Sequence, residues 1–226
     1  MNATTLPGPQ IVILAAGFSS RLGRPKALAR VRASSLLRSA LTLASPLTPA
    51  KIIVVLPHRA VRYRIEARDF KVIFAANRRR GEGLSSSVRR GVSMGRYSPA
   101  LLLLPVDLAG LQRRDLVRLL SRWRAARRCV VARRVARPDG SPHGGTSRGG
   151  VPLILPHWLY ARALEITGDL GLRELVAELP PPQRVLLDLP SAALDVDTPQ
   201  DLLAVRCRRV PFVYGIGARR PSGSSG

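Results

Sequence analysis

Residues 11–28 run from an unbroken apolar stretch, Ile11-Val12-Ile13-Leu14, straight into a turn rich in glycine and serine that carries Arg21, Arg24 and Lys26. This junction constrains the fold most. A short continuous apolar run bounded by a turn suits a strand buried on both faces, as in a parallel sheet covered by helices. A turn at the carboxyl end of such a strand lies where ligands gather in open α/β sheets. Small residues such as Gly17 and Gly23 let backbone N–H groups approach phosphate oxygens, and Arg21 and Lys26 can neutralise them. The first acidic residue is Glu66, so the whole region is free of carboxylates, which suits a polyanion.

Strand and helix patterns alternate after this point. Apolar runs predict strands over 10–14, 51–56, 71–75, 100–105, 129–135, 151–155 and 185–189. Helical spacing predicts helices over 35–43, 59–68, 84–94, 113–127, 158–166 and 172–179, with a last one starting near Pro199 and capped by Thr198. The alternation implies right-handed βαβ crossovers and an α/β fold with a mostly parallel central sheet. The run 100–105 is apolar at every position, so it is a central strand, and it delivers Asp107 to the ligand edge. With 226 residues, 46% of them hydrophobic, the chain supports one substantial core, expected over 1–206. Residues 207–226 show no period and read as a disordered tail, and 137–150, rich in Gly, Pro and Ser, read as a mobile loop.

The formal charge is +23, carried almost entirely by arginine, since Lys26, Lys51 and Lys71 are the only lysines. Such a surface attracts anions of every kind. Specific nucleic-acid binding is not expected, because aromatics make up only 4% and are not interleaved with the basic residues. Cys129 and Cys207 lack metal-ligand spacing and fit a reducing compartment. Neither a signal peptide nor an apolar run of about 18 residues is present, so no membrane association and a cytoplasmic location are expected.

The loop fails the Walker A spacing and the three-glycine dinucleotide fingerprint. The run Leu14-Ala15-Ala16-Gly17-Phe18-Ser19-Ser20-Arg21-Leu22-Gly23-Arg24-Pro25-Lys26 instead resembles the signature of nucleotidyltransferases with a MobA-like fold. Its Ala-Ala-Gly and Pro-Lys variants resemble the molybdenum cofactor cytidylyltransferase branch. Four more segments resemble that family in order: Asn77 with Gly83 to Arg89, Leu104 to Gly110, Gly168 to Arg173, and Asp195 to Leu202. A Gly-containing turn that the family shows near Arg32 to Ser34 is missing, and the family's Gly-His-Pro element reads Gly150-Val151-Pro152.

The resemblance implies a Rossmann-like, nucleotide-diphospho-sugar-transferase-type fold and transfer of CMP from CTP to the phosphate of molybdenum cofactor (molybdopterin), with release of pyrophosphate. It also implies a molybdoenzyme or its maturation chaperone as a partner. Related guanylyl- or sugar- and alditol-phosphate transfer, or a non-catalytic cofactor- or RNA-binding role, are the alternatives. Leu14, Ala15, Ala16, Gly17, Arg21, Gly23 and Lys26 become candidate nucleotide-binding residues, joined by Asn77, Gly83, Ser85 and Ser86 for base and ribose, with the Ala15–Ala16 pair favouring CTP. An ionised phosphate acceptor needs no general base; the chemistry is charge neutralisation by cations and Mg2+. Lys26, Arg21 and Asp107 are the candidate catalytic residues. Asp107 and Asp197 are the candidate Mg2+ ligands, and Asp195 is a poorer one.

Overall fold

The computed structural model describes residues 8–47, 49–135, 148–169 and 171–207. Residues 137–147 of the expected loop and 208–226 of the expected tail lie outside the described residues, as do 1–7, Thr48, Ala136 and Leu170.

The strands are β1 (Gln10–Leu14), β2 (Arg30–Val31), β3 (Ser34–Ser35), β4 (Ile52–Pro57), β5 (Ile73–Asn77), β6 (Ala100–Pro105), β7 (Val130–Val135), β8 (Arg148–Pro156) and β9 (Arg184–Leu187). The helices are α1 (Leu36–Ala44), α2 (Val61–Glu66), α3 (Leu84–Met94), α4 (Arg113–Ala125), α5 (Tyr160–Glu165), α6 (Gly171–Ala177) and α7 (Pro199–Cys207). Seven strands form one sheet in the order β5-β4-β1-β6-β8-β7-β9. The four from β5 to β6 are parallel, as is the β7–β9 pair, whereas β8 runs antiparallel to both β6 and β7.

Each central strand is buried on both faces because its apolar residues alternate between two cores. Ile11, Ile13, Val54, Leu102 and Leu104 pack with α1, α2, α4 and α7. Val12, Leu14, Val55, Leu101 and Leu103 pack with α3, α5 and α6. Helix α1 starts where Ser35 caps it, its hydroxyl accepting from the Arg38 amide at 3.1 Å. Thr198 and Asp201 exchange bonds at the start of α7, a capping box.

Three elements differ from expectation. Strand β5 begins two residues later than the expected 71–75 and extends two residues further, through Asn77. Strand β8 begins at Arg148, inside the stretch expected to be loop, because its glycines carry no apolar signal. The short hairpin β2–β3 has no counterpart among the expected elements. Its turn forms without glycine: Arg32 takes φ 56°, the left-handed region, at a cost of roughly 1 kcal/mol. Among the described residues no helix is long and apolar enough to cross a membrane.

Candidate active site

The site is assembled at the carboxyl edge shared by β1, β4, β5 and β6. Past β1 the chain turns sharply at Ser19 (φ 57°) and Gly23 (φ 70°). The Ser19 hydroxyl accepts the Lys26 amide at 2.9 Å and staples the loop shut, a role that its place in the sequence does not announce. Lys26 is thereby aimed across the sheet edge at the residues following β6.

There the Asp107 carbonyl accepts the amides of Ala109 at 2.9 Å and Val196 at 3.0 Å, and Leu108 bridges Asp195. This clamps the segment 195–197 beside the end of β6. Val196 is fully buried, so Asp195 and Asp197, two apart in extended chain, both project to the opposite side, toward Asp107. Carboxylate oxygens of Asp107, Asp195 and Asp197 lie within 4.8 Å of one another. The Lys26 ammonium donates to Asp107 Oδ2 at 3.1 Å and to Asp197 Oδ1, and Arg21 Nη2 donates to Asp197 Oδ2 at 2.7 Å. Lys26, Arg21, Asp107 and Asp197 are thus brought together from widely separated parts of the chain. Asp195, the poorer candidate from sequence, belongs to the same cluster, as its Asp-x-Asp spacing with Asp197 allows.

Crowding shows in the ionisation. Desolvation would push the Lys26 ammonium down, but Asp107 and Asp197 together outweigh it and hold its pKa above the ordinary value. The Asp195 carboxyl is pushed up to about 6, first by desolvation in the surrounding protein and then by Asp107 and Asp197. Like charges this close favour a cation between them.

A cleft of about 680 Å3 opens past the ends of β4 and β5, lined among others by Pro25, Pro57, His58, Asn77, Arg78 and Arg80; of the first loop it takes in Pro25, next to Lys26, and the three carboxylates do not line it. Its size suits a small ligand. Phe18 of the first loop stacks against the Arg80 guanidinium, 4.2 Å from the ring centre.

The remaining candidates are placed differently. Leu14, Ala15 and Ala16 are buried, and the Ala15 amide donates to Val55 at 2.8 Å, which fixes the start of the loop. Asn77, Ser85 and Ser86 are buried as well. The Asn77 amide donates to Ser86 at 2.9 Å and Ser87 at 3.1 Å, and the Ser85 hydroxyl donates to the Glu82 carbonyl. Their polar groups therefore hold the entry of α3. Asp169 joins them, accepting the Leu84 amide at 2.7 Å, and is a helix anchor that the sequence suggests only as part of a turn motif.

The family is that of the MobA-like NTP transferase domain, which matches residues 11–184, and the chain belongs to it. No curated protein sequence matches. Among solved structures, Rv0371c of Mycobacterium tuberculosis H37Rv is similar at 24% identity over 89% of this chain and 99% of its own, with a TM-score of 0.72. A second structure of that protein is a complex with manganese (TM-score 0.63). A nucleotidyl transferase of Methanothermobacter, Mth528, is similar at 20% identity over 88% of this chain and 96% of its own (TM-score 0.69). The 2-C-methyl-D-erythritol 4-phosphate cytidylyltransferase of Thermus thermophilus is similar at 22% over 89% and 98% (TM-score 0.62). The chain is a nucleotidyltransferase by family, and these likenesses show its fold.

Two glycines of the site separate ligand binding from folding. A Cβ at Gly17 would meet no atom within 4 Å, and its φ is ordinary, so the fold itself does not demand glycine there. At Gly83 (φ 82°) a Cβ would fall 2.4 Å from Asp169 Oδ1 and 3.0 Å from the Gly168 backbone. Gly17→Ala is expected to leave stability within about 1 kcal/mol of the parent while weakening nucleotide binding roughly tenfold. Gly83→Ala is expected to destabilise by about 2–4 kcal/mol through backbone strain and loss of the α3 anchor. Thermal melts and nucleotide titration of both variants check the contrast.

Proposed function

We propose that this chain transfers CMP from CTP to the phosphate of a molybdopterin-type acceptor, releasing pyrophosphate, with Mg2+ as the working ion. The observation that carries the reading is the meeting of Lys26 with Asp107 and Asp197 at the end of a carboxylate-free, glycine-bearing loop. The choice of CTP and of the acceptor rests on the Ala15-Ala16-Gly17 and Pro25-Lys26 variants and their resemblance to the cytidylyltransferase branch.

The donor set fits a hard divalent ion. It is all oxygen, from three carboxylates, and the Lys26 ammonium is already stabilised among them. Asp107 and Asp197 would hold the ion, with Asp195 beside them. When bound, it supplies Lewis-acid charge to the phosphates. In the reaction an acceptor phosphate oxygen bonds to the α-phosphorus, the bond from that phosphorus to the β-bridging oxygen breaks, and the electron pair leaves with pyrophosphate. Lys26 turns its charge to the α-phosphate, Arg21 to the leaving β- and γ-phosphates, and the Gly17 turn admits the chain of phosphates to the backbone. The acceptor is already anionic, so no side chain removes a proton.

A panel of CTP, GTP, UTP and ATP against molybdopterin and sugar or alditol phosphates, assayed for pyrophosphate, tests this. CTP with molybdopterin is expected to exceed every other pair by at least tenfold. Preference for GTP, or for a sugar phosphate, would replace the substrate assignment.

A further inference from the structure

Beyond the carboxylates, on the side away from the first loop, lie two arginines, Arg133 on β7 and Arg173 on α6. Arg133 lies on β7 at a slip in the ladder: Ala132 pairs with Leu153, but Arg133 pairs with Gly150. Val151 and Pro152 are passed over, and Pro152 has no amide to give. Such slips re-aim side chains and recur beside active sites. Strand β7 is antiparallel to β8, as β8 is to β6, so the Arg133 end of β7 lies at the same edge as Asp107. The guanidinium there feels the charges of Asp195 and Asp107.

The second arginine arrives because Gly149 and Gly150 follow the first residue of β8. A Cβ at Gly149 would come within 2.5 Å of Val176 on α6, so only glycine lets that helix close on the strand. A Cβ at Gly150, the partner of Arg133, would stand 3.9 Å from Arg173 Nε. Arg173 Nε thus lies close to Gly150, the partner of Arg133, and the two guanidiniums repel: the Arg133 charge, disfavoured first by desolvation and favoured by Asp195, is disfavoured again by Arg173. Among the described residues neither Arg133 nor Arg173 has an ion pair or hydrogen bond. Nearby arginines do: Arg134 pairs with Asp188 at 3.0 Å and Arg162 with Glu178 at 2.5 Å. Two neighbouring guanidiniums without a direct ion-pair partner among the described residues are what a phosphate, with its several acceptor oxygens, would bridge.

We infer that Arg133 and Arg173 form a phosphate subsite that holds the acceptor's anionic group opposite the triphosphate loop. The inference rests on the transfer reading above. In the sheet order β7 stands three strands from β1, roughly 14 Å at the usual strand spacing, with the β6 end and its carboxylates between. That separation suits an in-line displacement, in which nucleophile and leaving group approach the phosphorus from opposite sides. The leaving pyrophosphate falls to Arg21 and the entering phosphate to Arg133 and Arg173.

The test is calorimetric titration of R133Q and R173Q with two probes, inorganic phosphate and non-hydrolysable CTP, both with Mn2+. The parent is expected to bind phosphate in the presence of the CTP analogue. Each variant is expected to lose at least tenfold in phosphate affinity and to keep CTP affinity within twofold. Unchanged phosphate affinity in the variants, or no phosphate binding by the parent, overturns the subsite. An equal loss of CTP affinity does so as well, since it assigns these arginines to the triphosphate. A parent that binds phosphate through both arginines but binds no nucleotide supports the subsite and removes the transfer reading, so the two failures are distinguishable. Arg173 is exposed on α6, so R173Q keeps the test open should R133Q fail to fold.

Discussion

Lys26→Ala is expected to reduce turnover by roughly 10^3-fold while tightening the binding of a divalent ion. The two effects share one cause. The Lys26 side chain is only 14% exposed, and its ammonium is bound to Asp107 and Asp197, the same oxygens a metal would take. An arriving cation competes with it; in the variant that competitor is gone. Without metal, three carboxylates within 4.8 Å then face each other with Arg21 as the direct cationic partner that remains. The variant should therefore melt earlier than the parent in chelator and gain more on addition of Mn2+, because a ligand that binds only the folded state stabilises it by mass action. In the parent, Lys26 has a folded pKa above its ordinary 10.5. Its contribution is thus complete below pH 10.5 and fades only as the pH rises through the folded value. Melting curves at neutral pH with and without Mn2+, together with pyrophosphate release, read both effects. Near-parental turnover, or equal Mn2+ shifts in parent and variant, would remove Lys26 from the proposed chemistry.

The parts of this fold legible in the sequence are those whose signal is local. Strand β6 declares itself by Ala100 to Pro105, apolar on both faces, and Asp107 follows it to the ligand edge. The caps Ser35 and Thr198 mark their helices because a hydroxyl before a helical run has one favourable use. What escaped depends on partners far away in the chain. Strand β8 runs antiparallel because of where it inserts, between β6 and β7, and nothing in residues 148–156 encodes that neighbour. The bonds that tie Asn77, Ser85 and Ser86 to the entry of α3 are equally invisible in the sequence, because they depend on how β5 meets the helix and on Asp169. Asp195 gains its place only through the bridge from Leu108 at the end of β6. Arg133 is one arginine among many in sequence; its setting comes from a ladder slip and a glycine on another strand.

Asp107→Ala is expected to abolish metal-dependent transfer, with turnover down about 10^3-fold or more, yet to leave the fold nearly intact. The structural work at this position belongs to the backbone. The Asp107 carbonyl accepts the Ala109 and Val196 amides, and those bonds, which hold the segment 195–197 in place, survive removal of the side chain. The carboxylate itself bonds only to Lys26 among the described residues, at 3.1 Å, and that lysine keeps Asp197. Removing one of three clustered anions also relieves repulsion on Asp195, which offsets the lost ion pair. The melting temperature without metal should accordingly stay within about 3 °C of the parent. Mn2+ affinity should fall at least tenfold, because a carboxylate ligand is gone while the Lys26 charge remains on Asp197. Asp197→Ala makes the comparison sharp: it strips partners from both Arg21 and Lys26, and should lower Mn2+ affinity and disorder the loop charges together. A variant at Asp107 that still binds Mn2+ as the parent does, and still releases pyrophosphate, would show that the ion is held elsewhere. A large drop in melting temperature would show instead that the side chain carries the fold at this edge.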